Sequence, residues 1–282
     1  MTEEFTLSPP PYPDDTYKTP HTAMEPFATF FPNIGFYWRM CATLKKASNL
    51  AQRGEYGSNE WVQSSLDIRE AMEKCGAKVT IEGLEHVKNM ASPCVFVANH
   101  MSTLETFMLP GIIRSFIPVT FVVKESLLRY PIFHHVMRSR DPIVVHRKDP
   151  RADFSAVMEG GLERLRKGIS IVVFPQSTRN LHLDKHQFNS LGVKLARKAN
   201  VPVIPVALRT DAWGMGGLFG LLKDHGAIHP QIPVRFRFGE PITIEGTGKA
   251  QHEAVYNFIA AALTEWGLPP YSHPEQAQEN PS

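Results

Sequence analysis

From Lys78 onward the chain is punctuated by short, β-rich apolar runs: KVTI (78–81), CVFVA (94–98), VTFVV (119–123), PIVV (142–145), SIVVF (170–174), PVIPVAL (202–208) and PVRFRF (233–238). Runs this short and this continuously apolar suit strands buried on both faces. Helical stretches separate most of them, notably 151–167 and 187–199. The alternation predicts an α/β fold, with a largely parallel central sheet of about seven strands flanked by helices. In such sheets, reactive residues are expected in loops at the carboxyl ends of strands.

The pattern before Lys78 is different. Residues 24–50 crowd Phe27, Phe30, Phe31, Ile34, Phe36, Tyr37, Trp38 and Met40 into one segment, with Pro32 placed to start a helix. Ile34, Tyr37, Cys41 and Leu44 follow helical spacing, with Arg39, Lys45 and Lys46 nearby. Aromatic residues beside basic ones suit a helix lying in a lipid interface, and equally an amphipathic helix packed on its own domain. Ser58 or Asn59 is a candidate cap for a second helix, whose face Trp61, Ser65, Ile68, Met72 and Cys75 would end at Gly76. The expected organisation is a flexible, Pro-rich arm over 1–23, a small N-terminal helical appendage at a membrane interface over 24–76, the α/β domain over 77–268, and a flexible tail over 269–282.

Bulk properties narrow the function. With Lys+Arg 30 against Asp+Glu 28, the formal net charge is +2, which gives a nucleic-acid binder no electrostatic footprint. Cys41, Cys75 and Cys94 are scattered and form no CxxC pair, which suits a reducing compartment and argues against structural zinc. The acidic, Pro-rich start does not read as a secretory signal. No run approaches the roughly 18 apolar residues of a spanning helix, so the expectation is a protein that is soluble or lies on a membrane without crossing it.

Chemistry concentrates after the apolar runs. Asn99 and His100 follow CVFVA, and Glu105 comes five residues later. On an ideal helix those two side chains would sit about 140° apart. They meet only if His100 lies in a strand–helix turn and Glu105 in the first helical turn. The carboxylate would then hold the imidazole in one tautomer as a general base. Ser102-x-x-Glu105 also reads as a capping box, a purely structural use of the same carboxylate. Arg179 follows SIVVF, Arg147 follows PIVV, and Lys124 follows VTFVV. Three cations after three separate strands point to an anion site. His182 and His186, with Asp184 between them, are a weak metal candidate, and no metal site is expected. No Walker, H-E-x-x-H or G-x-S-x-G motif occurs.

Together these blocks resemble the glycerolipid acyltransferase superfamily, especially the 1-acylglycerol-3-phosphate acyltransferases. NHMSTLE resembles the N-H-x₄-D block, KESLLRYPIF with IVVHR the second, FPQSTRN the F-P-E-G-T-R-S block, and VPVIPVAL the fourth. The resemblance covers roughly residues 78–240 and holds in both order and spacing. It implies catalytic roles for His100 and Glu105, and phosphate binding by Lys124, Arg147 and Arg179. It implies an acceptor-site turn made of Asn99, Pro175, Gln176, Ser177 and Thr178, with Pro205 shaping the site. The implied reaction is fatty acyl transfer from acyl-CoA or acyl-carrier protein to the free hydroxyl of a lysophospholipid such as 1-acylglycerol-3-phosphate. No bound cofactor is expected. The implied setting is peripheral, on the cytoplasmic face of a membrane. A CoA-independent transacylase, a lipid-A-type acyltransferase and an inactive membrane-bound scaffold of the same fold are the alternatives. Three residues depart from the family pattern: Glu105 for Asp, Gln176 for Glu and Ser177 for Gly.

Overall fold

The computed structural model describes residues 10–129, 133–176, 178–216 and 226–271. Among these, the strands are β1 (Tyr17–Lys18), β2 (Val79–Glu82), β3 (Val95–Ala98), β4 (Val119–Lys124), β5 (Ile143–Val145), β6 (Ser170–Val173), β7 (Val203–Arg209) and β8 (Val234–Phe238). They form one sheet in the order β1-β2-β8-β7-β3-β6-β4-β5. The helices are α1 (Pro26–Phe30), α2 (Pro32–Gln52), α3 (Ser58–Lys74), α4 (Glu85–Lys88), α5 (Leu104–Ile113), α6 (Phe133–Arg138), α7 (Pro150–Arg166), α8 (Leu191–Ala199) and α9 (Lys249–Glu265). The expected apolar runs all became strands, and the sheet is largely parallel as the alternation requires. The antiparallel pairs are β7 with β8 and β1 with β2.

The period-two rule divides the sheet's side chains between two cores. Phe96 and Ala98 of β3, Ile204 and Val206 of β7, and Phe236 and Phe238 of β8 face α2, α3 and α5. Val95, Val97, Ile171, Val173 and Val203 face the other way, against α7, α8 and α9. Strand β3 is buried along its whole length because it lies between β6 and β7 with helices above and below. The residue that follows β3 therefore emerges at the middle of the sheet's carboxyl edge.

Several expectations need correction. Residues 10–23 are not a free arm. Tyr12 is buried, and Tyr17–Lys18 pairs antiparallel with β2, adding an eighth strand. Arg69 of α3 lies over the Tyr17 ring at 4.3 Å, and the Tyr17 hydroxyl donates to Glu73 at 2.7 Å. A high Pro content discourages internal hydrogen bonding, but a two-residue edge strand needs little of it, and two tyrosines supply the burial. The expected tail over 269–282 lies mostly outside the described residues, from 272 onward.

Nor do residues 24–76 form an appendage. Phe36, Met40, Ile68 and Met72 belong to the main core, so α2 and α3 are one helical layer of the domain. Asn33 accepts the Ile228 amide, and the Trp213 indole donates to the Tyr37 hydroxyl. The buried stripe of α2 runs through Phe36, Met40, Thr43 and Ala47, not through Ile34 and Cys41, which are exposed. Aromatic residues stand on both sides of this helix, so spacing alone could not choose the buried one. Helix α3 begins at least one residue earlier than expected, with Gly57 rather than Ser58 or Asn59 at the cap and Glu60 accepting its amide.

The outer side of α1 and α2 carries Phe27, Phe30, Phe31, Ile34 and Trp38 as exposed side chains, with Phe30 at 82% and Trp38 at 77% exposure. Met24 joins them. Among the described residues no helix is long and apolar enough to cross a membrane.

Candidate active site

His100 sits in the turn between β3 and α5, and Glu105 lies in the first turn of α5. This arrangement lets two residues five apart meet: His100 Nδ1 is 2.9 Å from Glu105 Oε1. Glu105 is fully buried, and His100 keeps 14% of its side chain exposed. An ionised carboxylate only accepts, so Nδ1 carries the imidazole proton and Nε2 holds the lone pair.

Glu105 has further donors. Met101 N lies 2.6 Å and Ser102 N 2.9 Å from Oε1, while the Thr210 hydroxyl donates to Oε2. Ser102 Oγ stands 3.0 Å from Oε2 and 2.9 Å from the Thr210 carbonyl, so its one proton serves one of them. The Leu104 amide donates to Ser102 Oγ at 3.0 Å, as at a helix start. The capping use and the imidazole contact expected as competing readings therefore coexist in one carboxylate. Burial pushes the Glu105 carboxyl up, but the hydrogen bond and charge of His100 and the Thr210 bond outweigh it and hold the group below the usual range.

The turn is held to the neighbouring strands on both sides. Asn99 is buried and exchanges two hydrogen bonds of 2.8 Å with the backbone of Leu208 in β7, as a strand residue would. On the β6 side, Phe174 stacks on the His100 ring at 4.3 Å. The His100 amide donates to Gln176 Oε1 at 3.1 Å, and the His100 carbonyl accepts from Asn180 N at 2.8 Å. Asn189 Nδ2 donates to the Pro175 carbonyl, anchoring the base of the same loop.

The expected cations emerge along the same carboxyl edge, since β3, β6, β4 and β5 are consecutive and parallel. Arg179 Nη1 donates to Thr103 Oγ1, placing the guanidinium three residues from the dyad's imidazole. Arg147 lies close enough to Arg179 for its pKa to be lowered, first by burial and then by that like charge. Arg147 has φ +57°, a left-handed conformation costly for a side-chain-bearing residue. Asp153 of α7 supports it by accepting the amides of His146 at 2.8 Å and Arg147 at 2.7 Å. Lys124 is exposed at the end of β4, in register with Val145, so it is on the same edge without a contact to either arginine that fixes its side chain.

One site expectation changes. Gln176 is 1% exposed, with its amide committed at both ends, to His100 N and to the His182 carbonyl at 3.1 Å. It is part of the support for His100 and does not face an acceptor. Ser177 lies outside the described residues, and its neighbour Thr178 is exposed. Asp184, between His182 and His186, caps a short turn by accepting from His186 N and Gln187 Nε2. Thr210, Phe174 and Asn180 were not anticipated. Thr210 directly follows β7, so the strand-end rule that singled out Arg179 could have found it.

Residues 78–209 match the sequence profile of the family described as Acyltransferase. Over this stretch, a little under half of its length, the chain is similar to the Acyltransferase family. Over 132 residues it is 34% identical to a 1-acyl-sn-glycerol-3-phosphate acyltransferase of Pseudomonas aeruginosa, covering 47% of this chain and 49% of that protein. A chloroplastic 1-acyl-sn-glycerol-3-phosphate acyltransferase of Arabidopsis thaliana is 31% identical over 131 residues, covering 46% of this chain and 36% of that one. The match therefore spans about half the length of these curated relatives or less. The crystal structure of the 1-acyl-sn-glycerophosphate (LPA) acyltransferase from Thermotoga maritima shares the fold, with a TM-score of 0.63 and 17% identity, over 88% of this chain and 99% of that one.

Proposed function

We propose that this protein transfers a fatty acyl group from a thioester, acyl-CoA or acyl-carrier protein, to the free hydroxyl of a lysophospholipid such as 1-acylglycerol-3-phosphate. The observation that carries the reading is the oriented dyad: a buried, hydrogen-bonded carboxylate holding Nδ1 of a partly exposed imidazole. Nε2 takes the acceptor's hydroxyl proton, and Glu105 stabilises the imidazolium that forms. The alkoxide oxygen bonds to the thioester carbonyl carbon, the carbon–sulfur bond breaks, and the leaving thiolate recovers the proton from His100. The acceptor's phosphate is held by Arg147 and Arg179, with Lys124 beside them on the same edge. Donors for the developing oxyanion come from the turn around Thr178 and not from the His100 or Asn180 amides, which are already engaged.

The exposed aromatic surface of α1 and α2 suits seating on one leaflet, in keeping with a peripheral enzyme whose acceptor is a membrane lipid. The cytoplasmic side remains part of the proposal.

The decisive assay measures transfer from a panel of acyl-CoA and acyl-carrier-protein thioesters to 1-acylglycerol-3-phosphate, with His100→Ala as control. The expected loss in the control is at least about 10²–10⁴-fold, the contribution of a positioned base. A folded His100→Ala protein with near-native transfer rules out this mechanism. Turnover with only a different lysolipid, or from a phospholipid acyl source, would keep the dyad and move the substrate assignment.

A further inference from the structure

We infer that Gln176 is a positioning residue whose uncharged amide locks the backbone of His100, and that the site requires an amide there and not a carboxylate. In its activity arm the inference rests on the acyl-transfer reading above.

The geometry is specific about both ends of the side chain. Oε1 accepts from His100 N at 3.1 Å, and Nε2 donates to the His182 carbonyl at 3.1 Å. Only a group that accepts at one atom and donates at the other satisfies both partners. The residue is 1% exposed, so a lost partner is not replaced by bulk water. A second bond on the same turn comes from Asn180 N, which donates to the His100 carbonyl. The loop from Phe174 to His182 therefore grips His100 at its amide, its carbonyl and one face of its ring. Glu105 fixes the remaining coordinate, rotation of the ring, through Nδ1. Nε2 is then aimed by the loop and the carboxylate together. Misplacement of a reacting group by about 1 Å can cost on the order of 10² in rate.

A carboxylate at position 176 would still accept the His100 amide, but its second oxygen would face the His182 carbonyl oxygen, lone pair against lone pair. It would also add a second negative charge to a turn whose own acid, Glu105, is already ionised and buried. The titratable and charged groups on the two segments that meet here are His100 and Glu105 from the β3–α5 turn, and Arg179, His182 and Asp184 from the loop after β6. Protonating the introduced carboxyl would restore a donor toward His182 and remove the charge.

The test uses two variants of the full chain. Gln176→Met keeps the volume and deletes both bonds. Gln176→Glu keeps the shape and changes one end. For Gln176→Met, kcat should fall about 10–100-fold at every pH, with the acceptor KM within about threefold of native. For Gln176→Glu, kcat should be closest to native at the acid end and decline as pH rises, a falling limb the native profile lacks. Gln176→Glu with the native kcat and pH profile would overturn the amide requirement. A raised acceptor KM with kcat intact in either variant would assign Gln176 to acceptor binding instead. An activity-independent arm follows the His100 Nδ1 proton in ¹⁵N-histidine-labelled protein by NMR. It should be sharp in the native protein and broadened by Gln176→Met, and an unchanged line overturns the clamp. A folded native protein that transfers no acyl group would sink the acyl-transfer reading, and the NMR arm would still decide the role of Gln176.

Discussion

The turn after β3 and the outer surface of α1 and α2 represent opposite solutions to the placement of side chains. Around Glu105 a charged group is sealed inside, with donors from His100, Met101, Ser102 and Thr210 converging on its two oxygens. On α1 and α2, large apolar groups such as Phe30 and Trp38 are held out toward solvent. A buried charge needs partners that satisfy it, and a large exposed apolar patch is a common mark of a contact surface. The first region therefore carries its own explanation within the fold. Under the membrane proposal, the second takes its explanation from outside the chain.

The contrast can be broken first at the dyad. Glu105→Ala removes the carboxylate and leaves its converging donors unpaired. Transfer should fall about 10²–10⁴-fold, and stability by roughly 3 kcal/mol, read by denaturant titration. Native-like turnover would show that the carboxylate only caps α5. The second break is at the aromatic surface. Each side chain taken out of water contributes roughly 1.5–3 kcal/mol, so Phe30→Ser combined with Trp38→Ser should weaken binding to phospholipid vesicles at least roughly 100-fold. Turnover on detergent-dispersed acceptor should stay native. Vesicle binding that does not change would remove the membrane reading and leave the chemistry standing.

A sharper comparison separates binding from chemistry within the site. Arg179→Ala removes a charge-assisted contact worth about 1.5–3 kcal/mol, so the acceptor KM should rise about 10–100-fold. Loss confined to kcat would instead make Arg179 a support for Thr103 and the α5 turn. The smallest effect is expected on acid titration. The folded Glu105 carboxyl lies below its ordinary 4.5, so its contribution to stability is complete above about that pH. It is lost as pH falls through the lower folded value. Melting temperature followed from pH 6 downward should drop less in Glu105→Gln than in the native protein, and equal slopes would assign acid loss to other carboxylates.

Legibility followed the range of the interactions. The interior strands were readable because burial on both faces demands continuous β-branched and aromatic runs, visible in CVFVA and SIVVF. Strand β1 was not, because two residues on a sheet edge leave no periodic trace. The pairing of His100 with Glu105 was readable because only five residues separate them and the strand–helix boundary between them is itself encoded. Thr210, 105 positions from Glu105, entered the site through the β3–β7 pairing. Gln176 could be located but not interpreted, since its two partners, His100 and His182, come from different segments.

By itself, the sequence determined the α/β class, the residues that emerge at the carboxyl edge of the sheet, and the pairing of His100 with Glu105. These depend on periodicity and local spacing, which are one-dimensional properties. The tertiary structure alone decided which side of α2 is buried, which carbonyl and amide hold His100, and that the N-terminal segment closes the sheet. Those outcomes depend on which distant surfaces meet once the helices pack, and a stripe of aromatic residues has the same spacing whether it faces the core or the solvent.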